Sequence, residues 1–160
     1  MAIEIERKFT LKNDLWKSAV SRSIKIRQGY LVSGLEPDQP SSVRVRISDD
    51  HASLNIKSVV LGAARHEFEY SIPLHDAEFM LAQLCKPHLI EKTRHIVVHE
   101  SHRWEIDIFE GDNLGLEMAE IELTSEDEAF VLPDWVDEEV THDHRYYNIH
   151  LVEQPYCLWQ

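Results

Sequence analysis

One pattern limits what this chain can fold into: strand-length segments alternate apolar with charged residues, and the charges within a segment are mostly of one sign. Residues 3–9 read Ile-Glu-Ile-Glu-Arg-Lys-Phe. In a β-strand successive side chains point to opposite faces. Glu4, Glu6 and Lys8 then share one face, and Ile3, Ile5, Arg7 and Phe9 the other. The pattern returns as Arg44/Arg46 among Val43, Val45 and Ile47, and again at Lys57, Glu67/Glu69, Lys92/Arg94, Glu105/Asp107 and Glu120/Glu122. A sheet with one wet face alternates in the same way, but such a face normally mixes Ser, Thr, Asn and Gln with its charges. Here acids recur as Glu-x-Glu or Glu-x-Asp, and bases as Arg-x-Arg or Lys-x-Arg. Like charges at neighbouring positions of a sheet repel. A divalent cation would bridge the acids and a polyanion the bases.

The alternation predicts strands over about residues 2–10, 23–33, 42–48, 52–60, 65–72, 89–99, 103–109 and 116–123. Between them, Asn13 or Asp14 caps a short helix, and Pro37 and Pro40 mark a loop. Asp49-Asp50 forms a turn, Gly62 breaks the chain, and Pro73 ends a strand. Ala77, Met80, Leu81 and Leu84 fall at helical spacing within 75–85. Thr124 or Ser125 caps a helix reaching about Val131. After Pro133 the tail is irregular, with a short helix near 146–151. At 160 residues the whole chain, 1–160, reads as a single domain with length for a core.

Short connections favour antiparallel pairing, and eight strands suffice to close a barrel and remove its edges. The expected fold is therefore α+β, mainly antiparallel: an eight-stranded closed or nearly closed barrel with a charged interior and helices packed outside. That inverts the usual small barrel, whose interior is filled with apolar side chains. Six basic groups inside (Lys8, Arg44, Arg46, Lys57, Lys92, Arg94) would hold phosphate oxygens by charge-assisted bonds. Glu and Asp oxygens suit Mg²⁺ or Mn²⁺. Phosphoryl transfer needs little beyond positioning, charge neutralisation and an aligned water. Arg27, Arg65 and Arg103 join this interior only if the register turns them inward.

Glu4-Ile-Glu6-Arg-Lys8 resembles the opening signature of the CYTH superfamily, the triphosphate tunnel metalloenzymes. The resemblance continues in order through Val43-Arg-Val-Arg46, Leu54-Asn-Ile-Lys57, Glu67-Phe-Glu69, Glu91-Lys-Thr-Arg94, Trp104-Glu-Ile-Asp107 and Ala119-Glu-Ile-Glu122. It implies an eight-stranded tunnel that binds a triphosphate. By that resemblance Lys8, Arg44, Arg46, Lys57, Lys92 and Arg94 hold phosphates. Glu4, Glu6, Glu120 and Glu122 bind the metal, with Asp107 contributing. Glu67 and Glu69 orient basic residues or a metal-bound water, and Lys92 matches a lysine implicated in catalysis. Within the superfamily the chain looks most like the short bacterial inorganic triphosphatases. The implied reaction is metal-dependent hydrolysis of tripolyphosphate to pyrophosphate and phosphate. The alternatives are a class IV-type adenylyl cyclase making cyclic AMP, a thiamine triphosphatase, and a non-catalytic binder of polyphosphate or nucleotide.

The formal net charge of −13 sets the surface against nucleic acid and anionic membranes. The expected partner is a small-molecule triphosphate, with the protein a monomer or homodimer. Two cysteines, no signal peptide and no run of about 18 apolar residues point to a cytoplasmic setting. The histidines at 142 and 144, and at 95, 99 and 102, read as surface or loop residues. Trp16, Trp104 and Trp135 read as packing on the barrel exterior.

Overall fold

Strand β1 (Ala2–Leu11) is the seam of a closed antiparallel sheet. It pairs on one side with β8 (Glu117–Leu123) and on the other with β5 (Ala64–Ile72). From β5 the sheet runs through β4 (His51–Ser58), β3 (Ser41–Ser48), β2 (Val20–Val32), β6 (Ile90–His99) and β7 (His102–Phe109), and so back to β8. The eight strands thus close a barrel. A short ninth, β9 (Val136–Glu139), pairs with the far end of β1 and falls in the tail expected to be irregular. The computed structural model describes residues 2–59 and 64–159. Val60 and Gly62, expected as a strand end and a break, lie outside the described residues.

The alternation places apolar residues outward, where they are then covered. Helix α1 (Leu74–Gln83), which starts after Pro73, lays Ala77 and Leu81 on Val45, Ile47 and Ala52. Gly29 permits the close approach at the end of α1, since a Cβ there would lie 2.7 Å from Leu89 and 2.9 Å from Cys85. A second exterior cluster joins Phe9, Trp104, Ile106, Ala119 and Ile121 to Trp16, Trp135 and Val136, so the three tryptophans pack where expected. Trp16 comes from a 3₁₀ turn, Leu15–Ala19. The Asn13 side chain accepts the Leu15 amide at its start, at 3.0 Å.

Two tail elements depart from the sequence reading. No helix runs from 124 to 131. Instead the Glu128 carboxylate accepts the Thr124 amide at 2.5 Å and its hydroxyl at 2.6 Å, folding the segment back into a turn. Phe130 is then free to pack edge-on against Trp104 and Phe9. Helix α2 (Asn148–Leu151) does not join the outer layer. Its Leu151, with Val152, packs against Ile90, Phe109 and Met118, which alternate with the outward residues. The C-terminal segment therefore stops one end of the barrel with apolar side chains.

Candidate functional site

Register decides which charges meet inside. Lys8 stands opposite Glu120 and Glu6 opposite Glu122 on β8. Arg94 stands opposite Asp107, Lys57 opposite Glu67, and Arg44 opposite Asn55. Apart from Asp107, which lies behind Arg94, these residues line a cavity of about 570 Å³, within the range of small-molecule sites. Its walls carry seven glutamates (4, 6, 67, 69, 105, 120, 122) and six bases (Lys8, Arg44, Arg46, Lys57, Arg65, Arg94).

Most of the bases are paired. Lys8 Nζ donates to Glu120 at 2.6 Å and lies 2.8 Å from Glu6. Lys57 Nζ donates to Glu4 at 2.6 Å. Arg94 donates twice to Asp107, at 2.7 Å each, and also reaches Glu120 at 3.1 Å and Glu105. Arg65 lies 3.9 Å from Glu6. Arg44 and Arg46 differ: among the described residues neither reaches a carboxylate. Arg46 Nε instead donates to the Gln28 side-chain oxygen at 2.8 Å, and Arg44 Nε is buried with no partner.

The titration behaviour follows these pairings. Burial alone would lower the Lys8 pKa, but Glu120 and Glu6 outweigh it and hold the ammonium charged. Burial likewise opposes ionised Glu120, and Lys8 and Arg94 overcome it, keeping the carboxyl well below its usual range. For Arg46, burial is joined by repulsion from Arg44 and Arg94 and pushes the pKa down to about 9. Lys92 is pushed down to about 8, burial outweighing its ion pair with Asp107. Glu122 moves the other way: partial burial and repulsion from Glu4, Glu105, Glu6 and Glu67 raise it. The cavity thus has an acid wall on β1, β7 and β8, in which Glu122 alone of that wall's described lining acids has no basic partner. On β3, at the opposite side of the ring, it has a basic wall lacking counter-charges.

Most of the residues singled out from the sequence line this cavity: Glu4, Glu6, Lys8, Arg44, Arg46, Lys57, Glu67, Glu69, Arg94, Glu120 and Glu122. Lys92 and Asp107 do not. Both side chains are 0 % exposed, 2.6 Å apart behind Arg94, with Lys92 also 3.3 Å from the Asn148 oxygen. Of the three undecided arginines, Arg65 enters. Arg27 pairs outside with Glu78 on α1, and Arg103 is exposed beside Glu105. Alternation with Glu67 already marks Arg65 as inward, and alternation with Lys57 marks Asn55.

The Asn55 amide donates to both Glu67, at 3.1 Å, and Glu69, at 2.5 Å. Tyr147 and Asn148 also line the cavity. Lys8 sits over the Tyr147 ring, 4.9 Å from its centroid, and the Tyr147 hydroxyl donates to the Thr141 carbonyl at 2.6 Å. No alternation signal precedes these two residues.

Among the described residues no three His, Cys, Asp or Glu side chains converge on a point suited to a metal ion. Glu4 and Glu6 are instead bonded to Lys57 and Lys8. The donor set still fits a hard divalent cation, because the acid wall offers carboxylate oxygens from Glu4, Glu6, Glu120 and Glu122, and burial together with the neighbouring acids raises Glu122. The histidines at 142 and 144, and those near 95–102, form no such group either.

The chain resembles known proteins over nearly its whole length. The CYTH domain model matches residues 2–152. An inorganic triphosphatase of Acetivibrio thermocellus is 43% identical over 156 residues, covering 98% of this chain and 97% of that protein. An inorganic triphosphatase of Nitrosomonas europaea is 34% identical over 148 residues, covering 91% and 93%. A crystal structure of an inorganic triphosphatase superposes with a TM-score of 0.65 at 31% identity, covering 95% of each chain. With a family match over nearly its whole length and a barrel lined by sorted charges, the chain belongs to the CYTH domain family.

Proposed function

We propose that this protein is a metal-dependent inorganic triphosphatase that cleaves tripolyphosphate to pyrophosphate and phosphate. The observation that carries the reading is the pair of opposed walls. Arg44 and Arg46 present positive charge that no described carboxylate neutralises, facing an acid wall that repels itself. A linear polyanion chelated to a divalent cation satisfies both at once. The named activity of the 43% identical relative points the same way.

In this reading Arg44 and Arg46 bind phosphate oxygens, and Lys8, Lys57 and Arg94 join them by exchanging internal carboxylates for substrate. Glu4, Glu6, Glu120 and Glu122 would hold Mg²⁺ or Mn²⁺, which supplies charge neutralisation at the reacting phosphate. Asp107, with both oxygens taken, contributes by fixing Arg94 and Lys92. Lys92 supports the charge that develops on the leaving phosphate from behind this layer. Glu67 and Glu69, held by Asn55, orient Lys57 and the attacking water.

A panel of tripolyphosphate, ATP and thiamine triphosphate, each with Mg²⁺ or Mn²⁺ and products identified, tests the reading. Phosphate and pyrophosphate from tripolyphosphate are the expected products. Cyclic AMP with pyrophosphate from ATP would replace the hydrolase by a cyclase. Tight binding with no product would replace it by a binder.

A further inference from the structure

Gln28 is fully buried on the inner face of β2, directly across from Arg46 on β3. It does not line the cavity; Arg46 does, and stands between the two. The contact between them fixes the amide's orientation. Arg has only donors, so the atom facing its Nε must be the Gln28 oxygen, at 2.8 Å. The Gln28 Nε2 is then left buried without an acceptor among the described residues. An orphaned donor in the interior is a stability cost, so the amide is a poor choice for packing alone.

The contrast with the rest of the cavity explains it. Lys8, Lys57, Arg65 and Arg94 each reach a carboxylate. A glutamate at position 28 would have nearly the same shape and would pair with Arg46 in the same place, but it would cancel the guanidinium's charge. A glutamine holds Nε and leaves the charge undiminished.

Resting on the triphosphatase reading above, we propose that Gln28 is a positioning residue: its neutral amide locks Arg46 in the cavity wall while keeping that cation available to a substrate phosphate. Such a role affects substrate affinity rather than turnover.

The test compares wild type, Gln28→Glu and Gln28→Leu by steady-state phosphate release from Mg²⁺–tripolyphosphate, by calorimetric binding of tripolyphosphate, and by melting temperature. Gln28→Glu is expected to raise KM and Kd about tenfold or more with kcat within about twofold, the size of a lost charge-assisted bond. Gln28→Leu, which frees Arg46 without neutralising it, is expected to raise KM by less. A folded Gln28→Glu with unchanged KM and Kd overturns the proposal. So does a shift confined to melting temperature, which is what a merely structural role would give. Should Gln28→Glu fail to fold, an unchanged KM in Gln28→Leu overturns it. Wild type that neither binds nor cleaves tripolyphosphate overturns both this proposal and the triphosphatase reading. Wild type that binds while the variants bind equally well overturns this proposal alone.

Discussion

At the scale of single residues, the interior divides into cations already matched and cations held in reserve. Arg46 belongs to the second group, so Arg46→Ala should raise KM for tripolyphosphate about tenfold or more while the protein melts near the wild-type temperature. Initial-rate measurements over a range of substrate would show this, and an unchanged KM would count against the basic wall. Lys92 and Arg94 belong to the first group, both matched by Asp107. Removing its carboxylate by Asp107→Ala leaves Lys92 and Arg94 buried beside one another, a change worth about 3–5 kcal/mol. Urea denaturation should show a loss of that size. If Lys92 supports the leaving phosphate as proposed, its pKa, pushed down by burial to about 8, would give activity a pH limit. Its cation is present below that value and lost above it, so kcat should fall as pH rises through about 8. A flat kcat profile to pH 10 would remove Lys92 from charge stabilisation.

Between β8 and β9, local hydrogen bonding overrides the pattern that suggests a helix. Residues 124–131 carry a hydroxyl followed by acids, which reads as a capped helix, yet Glu128 turns back onto Thr124 and also accepts from His102 at 2.9 Å. The Thr124 hydroxyl and amide, and then His102, hold the Glu128 pKa down at about 2, below the ordinary 4.5. A depressed carboxyl stabilises the fold above its unfolded value and loses that contribution as pH falls. Glu128→Gln should therefore melt below wild type at pH 7, with the gap closing from about pH 4.5 towards pH 2. Equal melting temperatures at pH 7 would show the turn to be held by Phe130 alone. Phe130 itself bridges Trp104, Phe9 and the Arg7 guanidinium, which lies 4.8 Å above its ring. The turn is thus fastened at both ends.

For the whole molecule, the internal ion pairs neutralise charges that the proposed function assigns to ligand. Lys8 with Glu6 and Glu120, and Lys57 with Glu4, let the barrel close although the chain carries a formal net charge of −13. In the proposed function, substrate and metal would displace these pairs together, since freeing Glu4 and Glu6 for a cation also frees Lys57 and Lys8 for phosphate. Tripolyphosphate with Mg²⁺ should therefore raise the melting temperature more than the sum of either alone. At a hundredfold excess over Kd the joint effect is about 2.7 kcal/mol. Scanning calorimetry with each component singly and together measures it, and strict additivity would separate the two walls.

The alternation of Glu4, Glu6 and Lys8 with Ile5, Arg7 and Phe9 by itself determined strand, face and charge sorting, because a side chain's face on a strand depends only on whether its position is odd or even. The same parity would have placed Arg65 and Asn55 inside. What only the tertiary structure decided is who meets whom. Lys8 and Glu120 are 112 positions apart, and no local period relates them. Pairing register brought them together, sealed Lys92 and Asp107 behind Arg94, and set an uncharged Gln28 against Arg46. The stopper at the barrel's end, with Tyr147 and Asn148 in the cavity wall, was likewise beyond local pattern. It arises because Leu151 and Val152 bury their apolar surface against Ile90, Phe109 and Met118, a choice available only once the barrel exists.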